Sequence, residues 1–169
     1  MYRLPCHWVL CNEDHIPHNA VAGGDDRKGE VIYVGRAVHN GDMLPGKVVR
    51  SMKCCYVPYD GKEPYDQNYG CCAATIYILQ CCHHDYQALV SDGASLSWLL
   101  ASNGAVPSGA IQGGVTASGE PLYIARARHE GLLLIGKVHP SLKRAYIPYD
   151  MKEYKYTEYQ VLVCKTINF

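Results

Sequence analysis

The chain is short of several things. It has 1 Phe and 2 Trp among 169 residues, and no excess of either charge: 16 Lys and Arg stand against 16 Asp and Glu. A protein that grips a nucleic-acid backbone carries a basic surplus to neutralise phosphates, so nucleic acid is not an expected partner. An acidic solvating tail is equally missing. No run approaches the roughly 18 apolar residues of a membrane-spanning helix, so no membrane insertion is expected. Met1-Tyr2-Arg3-Leu4-Pro5-Cys6-His7-Trp8 lacks the apolar stretch and small-residue cleavage site of a secretory signal. The expected location is the cytoplasm, or outside the cell by a route that reads no such signal. A sustained helical period is also lacking, with Ala94 to Ala101 the one weak candidate.

What is present begins with an ordinary share of apolar residues, 48%, which argues against disorder. Tyrosine is abundant at 14. Its apolar face and polar tip suit half-buried strands and wet binding sites. Cysteine numbers 9, an odd count, and without a secretion signal a full disulfide framework is not the default. Three adjacent pairs occur, Cys54-Cys55, Cys71-Cys72 and Cys81-Cys82. Neighbours on a strand point to opposite faces, so these pairs do not bond to each other.

The dominant feature is an internal repeat. When Trp8 is laid on Trp98, Tyr33 meets Tyr123, Arg36-Ala37 meets Arg126-Ala127, Gly46-Lys47-Val48 meets Gly136-Lys137-Val138, and Pro58-Tyr59-Asp60 meets Pro148-Tyr149-Asp150. Close to half of the positions from Trp8 to Glu63 are identical to those from Trp98 to Glu153, with no gap. The copies then part, and copy one carries extra residues at about 64–85 before Tyr86-Gln87-Ala88-Leu89-Val90 answers Tyr159-Gln160-Val161-Leu162-Val163. The domain reading is residues 1–90 for the first copy, with its cysteine-rich insertion, and 91–169 for the second. Val31 to Val38 and Leu122 to Ala127 are β-rich, and Asn40-Gly41 is a tight-turn pair answered by Glu130-Gly131. Pro58 and Pro148 end strands or lie at edges. The expected fold is all-β: two tandem homologous β-sheet modules packed with pseudo-twofold symmetry.

Several repeated residues invite explanation. Gly23-Gly24 and Gly113-Gly114 permit positive φ or a close approach of main chain to a ligand, with ordinary turn geometry the plainer account. Lys47 and Lys137, each held after a glycine, have the look of positioned donors, since lysine is easily replaced on a surface and costly to bury. Arg36 and Arg126 are expected to pair with Glu63 and Glu153.

The string Tyr33-Val34-Gly35-Arg36-Ala37, then His39-Asn40-Gly41-Asp42-Met43-Leu44-Pro45-Gly46-Lys47, then Tyr56-Val57-Pro58-Tyr59-Asp60-Gly61-Lys62-Glu63, closing on Tyr86 to Val90, resembles the DM-nine repeat of natterin-like proteins and of small tandem-repeat mollusc lectins. The resemblance covers both copies apart from the insertion. It implies metal-independent binding of D-mannose and mannose-rich glycans, often by a homodimer, in microbial pattern recognition. In such lectins an aspartate after the first glycine turn and the lysine of Pro-Gly-Lys hold the sugar. Here these fall on Asp26 and Lys47, with Gly24 and Asp42 as further candidates at this first site. The chemistry is sound: a carboxylate accepts from vicinal hydroxyls and an ammonium donates to a hydroxyl or ring oxygen. In copy two Lys137 survives, but Asp26 aligns with Thr116 and Pro45 with Ile135. The second site, Lys137 and Thr116, is therefore expected to be weakened, altered or lost.

Cys71-Cys72 and Cys81-Cys82-His83-His84 lack the Cys-x2-4-Cys spacing of structural zinc. Free thiols on an added hairpin, a redox or intermolecular disulfide, and zinc all stay open, with no metal or cofactor expected. Asp25 to Glu30 is not a calcium loop. No Ser-His-Asp grouping or nucleophile elbow is visible, so no enzyme is expected. The alternative to a lectin is an intracellular interaction or scaffold module that has lost sugar affinity.

Overall fold

The computed structural model describes residues 6–12, 15–59, 80–92 and 95–165. The first half runs through β1 (Cys6–Cys11), β2 (Ala22–Asp25), β3 (Val31–His39), β4 (Asp42–Val49), β5 (Cys54–Pro58), β6 (Gln80–His83) and β7 (Tyr86–Ser91). The second repeats the order as β8 (Leu96–Ser102), β9 (Gln112–Val115), β10 (Pro121–His129), β11 (Leu132–His139), β12 (Arg144–Tyr149), β13 (Lys152–Tyr156) and β14 (Glu158–Cys164). All pairings among the described residues are antiparallel, and within the weak helical candidate Ala94 to Ala101 the residues from Leu96 on form strand β8.

Each half is built around its longest hairpin. The β3–β4 turn at Asn40-Gly41 has φ of 49° and 84°, and the β10–β11 turn at Glu130-Gly131 has 50° and 81°. Positive φ at both central residues is what a two-residue hairpin needs to match the strand twist. One edge of β3 pairs with β2 near its start and with β7 further along, and its other edge pairs with β4. β1 lies on β7, β5 on β4 and β6 on β5. In the second half β10 takes β9, β14 and β11, with β8 on β14, β12 on β11 and β13 on β12. Among the described residues a single bridge, Met43 to Val115, joins the two ladders.

The halves do not keep private cores. Ile32, Val34 and Leu89 are buried with Ile124, Leu134, Ile135, Ile147 and Leu162. Leu122 of the second half is buried with Leu44, Val48, Val57 and Tyr86 of the first. Each such side chain contributes about 1.5–3 kcal/mol on burial. The contacts between halves are reciprocal. Arg36 Nη1 donates to the Gly113 carbonyl at 3.4 Å, and Arg126 Nη1 to the Gly23 carbonyl at 3.0 Å. A Cβ on Gly24 would meet the Leu133 carbonyl oxygen at 1.8 Å, and one on Gly114 would meet that of Met43 at 1.9 Å. Such exchange between matching positions is what a twofold relation produces.

Three sequence expectations are corrected here. Gly23-Gly24 and Gly113-Gly114 are not positive-φ residues; the other half's backbone lies against Gly24 and Gly114, and its side chains lie against Gly23 (Ile135 and Trp98) and Gly113 (Pro45). The repeated arginines are held by amide side chains rather than carboxylates. Arg36 Nε donates to Gln87 Oε1 at 2.6 Å and Arg126 Nε to Gln160 Oε1 at 2.8 Å, with the guanidinium carbons 4.1 and 4.3 Å from the ring centroids of Trp8 and Trp98. The insertion also moves. Gln80 pairs with Pro58 as Glu153 pairs with Pro148, so the extra residues lie inside the β5–β6 hairpin, before Gln80. Cys71, Cys72 and Glu63 lie outside the described residues.

Candidate functional site

Lys47 and Lys137 occupy matching places on β4 and β11, opposite Tyr56 and Tyr146. The preceding glycines are dictated by chain packing: a Cβ on Gly46 would lie 2.1 Å from the Tyr56 carbonyl oxygen, and one on Gly136 2.0 Å from that of Tyr146. Both lysines are buried, with 7% and 5% exposure. An ammonium accepts such burial only among compensating groups. Lys47 Nζ is 5.7 Å from the ring centroid of Tyr56 and 5.6 Å from that of Tyr149, a residue of the other half. Lys137 Nζ donates to the Pro58 carbonyl at 2.9 Å, again across the halves, and lies 5.5 Å from the Tyr146 ring centroid. Each lysine is thus enclosed partly by its own copy and partly by the other.

Burial pushes the Lys47 ammonium down to about 8, and the charge of Asp26 works against that shift. Asp26 thus lies near enough for its charge to bear on the Lys47 ammonium. The Asp26 carboxylate has a second task. Its Oδ1 accepts from the backbone N–H of Lys28 at 2.9 Å and of Glu30 at 2.8 Å, closing the loop after β2. Thr116 Oγ1 performs the same closure in copy two, accepting from Glu120 N–H at 3.0 Å and lying 3.0 Å from Ser118 Oγ. Threonine keeps the turn and drops the charge.

The structure moves Asp42 away from the site to which the sequence reading assigned it. Asp42 begins β4, five residues before Lys47, roughly 17 Å along an extended strand. Its carboxylate lines the cavity of Lys137 instead, and its Oδ1 accepts from Ala117 N–H at 2.6 Å. Gly24 likewise serves the contact with Leu133 described above.

The Lys137 cavity measures about 200 Å³ and is lined by Asp42, Tyr59, Lys137, His139, Leu142, Tyr146 and Glu153. That is below the roughly 300–1,000 Å³ of drug-sized sites and suits one small polar ring. Copy one supplies Asp42 and Tyr59, and copy two the rest. His139 Nε2 lies 2.9 Å from Glu120 Oε2, and Glu120 also accepts from Ser141 N–H and Oγ, each at 2.8 Å. These bonds anchor one wall. Behind another wall, His39 packs edge-on against Tyr59, ring centroids 4.4 Å apart. His83 lies beyond it at 5.3 Å, its imidazole pushed down to about 4 by burial and by the neighbouring His39 and His84.

The surroundings of Lys47 differ. Arg27 Nε donates to the Tyr149 hydroxyl, and the guanidinium carbon lies 4.8 Å from that ring centroid. The Tyr149 hydroxyl donates in turn to Glu130 Oε2 at 3.4 Å. Cys54 and Cys55 lie close enough to influence Lys47. The Cys54 thiol is lowered to about 7, first by a hydrogen bond with Cys82, whereas burial drives the Cys55 thiol well up.

Sequence reasoning missed Tyr59, Tyr149, Tyr56, Tyr146, His139 and Glu153 as site residues. The repeated Pro-Tyr-Asp motif was a visible signal. So were His39 and His129, which repeat because each braces the tyrosine that encloses the other copy's lysine; His129 lies 4.8 Å from Tyr149.

Similarity to known proteins agrees with this architecture. The DM9 repeat matches residues 2–66 and 64–156. Natterin-4 of Thalassophryne nattereri is 29% identical over 155 residues, covering 92% of this chain and 33% of that protein, so the chain spans about a third of its length. The nematode sperm cell motility protein MFP2B shares the fold at a TM-score of 0.62 and 16% identity, over 100% of this chain and 50% of that structure. With two matched repeats, duplicated lysine sites and a shared all-β framework, the chain belongs to the DM9 repeat family.

Proposed function

We propose that the chain is a metal-independent carbohydrate-binding protein that takes D-mannose and mannose-rich glycans at its two lysine sites. The observation that carries this reading is the Lys137 cavity. An ammonium donor, two carboxylate acceptors and two tyrosine rings surround a space sized for one pyranose. Sugars present vicinal hydroxyls and an apolar C–H face, which such a lining satisfies. The Lys47 site adds Asp26, Tyr56 and Tyr149. The role is binding rather than catalysis, and the proposed setting is recognition of microbial glycans by a homodimer.

Retention on mannose-agarose in the presence of chelator tests this. Wild type is expected to bind and to elute with free mannose, and substitution of both lysines, Lys47→Met with Lys137→Met, is expected to abolish retention. A second reading, an interaction module without sugar affinity, is favoured by the hydrogen bond that Lys137 Nζ already makes to Pro58. A flat response across a glycan array would select it.

A further inference from the structure

We infer that the mouth of the Lys137 cavity is an apolar subsite built on Leu142, so that the protein prefers a mannoside with a hydrocarbon aglycone to one with a small or polar aglycone. This rests on the sugar-binding reading of the same cavity. Among the described residues that line it, Leu142 alone is exposed, at 48%, and it is the one aliphatic side chain there. The polar groups and the tyrosine rings lie inside, and the leucine stands at the opening.

An isolated surface leucine calls for no explanation. This one is repeated, and its backbone is held. Met52 takes its place in copy one and is also exposed, at 55%. Each is the last residue of a 3-10 turn, Pro140–Leu142 or Arg50–Met52, followed by a lysine in the left-handed region, Lys143 at φ 56° or Lys53 at 54°. Lys143 N–H donates to the Pro140 carbonyl and Lys53 N–H to the Arg50 carbonyl, each at 3.0 Å. Glu120 accepts from Ser141 N–H, and Glu30 from Ser51 N–H, each at 2.8 Å. In copy two Ser141 Oγ and His139 bind the same Glu120 carboxylate, and Pro140 fixes φ where the turn begins. A backbone so tied needs little further ordering when a ligand arrives, so apolar burial on its side chain is retained as affinity.

A space of about 200 Å³ takes one pyranose, and whatever that sugar is joined to leaves through the opening, past Leu142. Leucine offers neither a hydrogen bond nor a π face there, so it discriminates by hydrophobicity alone. A hydrocarbon chain gains by leaving water against it, whereas a second sugar keeps its hydroxyls hydrated.

Calorimetric titration of the full chain in a Lys47→Met background, which isolates this cavity, tests the inference with methyl α-mannoside, hexyl α-mannoside and methyl α-mannobioside. Hexyl mannoside is expected to bind on the order of tenfold more tightly than methyl mannoside, with the mannobioside close to the methyl glycoside. Leu142→Ser is expected to bring the hexyl-to-methyl ratio to about one, and Leu142→Met to retain it; the position is exposed, so neither change endangers the fold. Equal affinities for hexyl and methyl mannoside, a hexyl gain that persists in Leu142→Ser, or a mannobioside gain as large as the hexyl one would each overturn the inference while leaving mannose binding intact. Failure of all three ligands to bind would overturn the sugar reading with it.

Discussion

At the scale of the residue, Lys47 shows what burial does to a functional cation. Its ammonium is disfavoured in the folded state, so its value of about 8 lies below the ordinary 10.5. Below about pH 8 both folded and unfolded chains hold the proton, and the folded state bears the full cost of the buried charge. Between about 8 and 10.5 only the unfolded chain holds it, so this residue's contribution to stability rises with pH, by on the order of 3 kcal/mol across the window. Compared with Lys47→Met, wild type should gain stability over that range in urea unfolding. Binding runs the other way. In a Lys137→Met background, mannoside affinity should fall as pH passes about 8, because the donor loses its charge; a flat profile would mean that Lys47 does not touch the sugar.

Tyr59 and Tyr149 show a role that spacing along the chain does not reveal. Both stand in a repeated motif, and both carry an edge-on histidine. His39→Leu is expected to weaken binding at Lys137 several-fold by freeing Tyr59 to turn, with the Lys47 site little changed. Site-resolved tyrosine resonances during a mannoside titration would report the two separately.

At the scale of the element, the glycines carry the clearest energetic signal. Gly24→Ala would push a methyl group into the Leu133 carbonyl, at 1.8 Å, and Gly114→Ala into that of Met43. Backbone cannot yield as a side-chain tip can, so each should cost about 3 kcal/mol or more. Gly29→Ala, with a φ of 74° and nothing within 4 Å, should cost only about 1 kcal/mol, from strained backbone alone. Denaturant midpoints would rank them. Strands and turns of this kind were legible beforehand, because Asn40-Gly41, the alternating runs and the two prolines each impose a local geometry. The register of β6 was not. Glu63 and Glu153 align as letters, yet it is Gln80 that stands where Glu153 stands, because pairing follows the ladder and not the alignment of letters.

At the scale of the whole molecule, the duplication makes two sites that neither copy contains alone. Lys137 needs Pro58, Tyr59 and Asp42 of the first half, and Lys47 needs Tyr149 of the second. The core is equally shared. Residues 1–91 and 92–169 expressed apart should each fail to give a cooperative melt, and mixing them should restore one. The family resemblance pointed to the pair Asp26 and Lys47, since both belong to one copy. It could not make Asp42 and Lys137 visible, because their meeting depends on how one copy sits against the other.

That meeting is open to direct measurement by a double-mutant cycle on mannoside affinity, followed calorimetrically in chelator, with Asp42→Asn and Lys137→Met made singly and together. Shared enclosure of one ligand predicts strong non-additivity for this pair and simple additivity when Lys47→Met replaces Lys137→Met. Additive losses for Asp42 with Lys137, or coupling of Asp42 to Lys47 instead, would contradict the composite-site account.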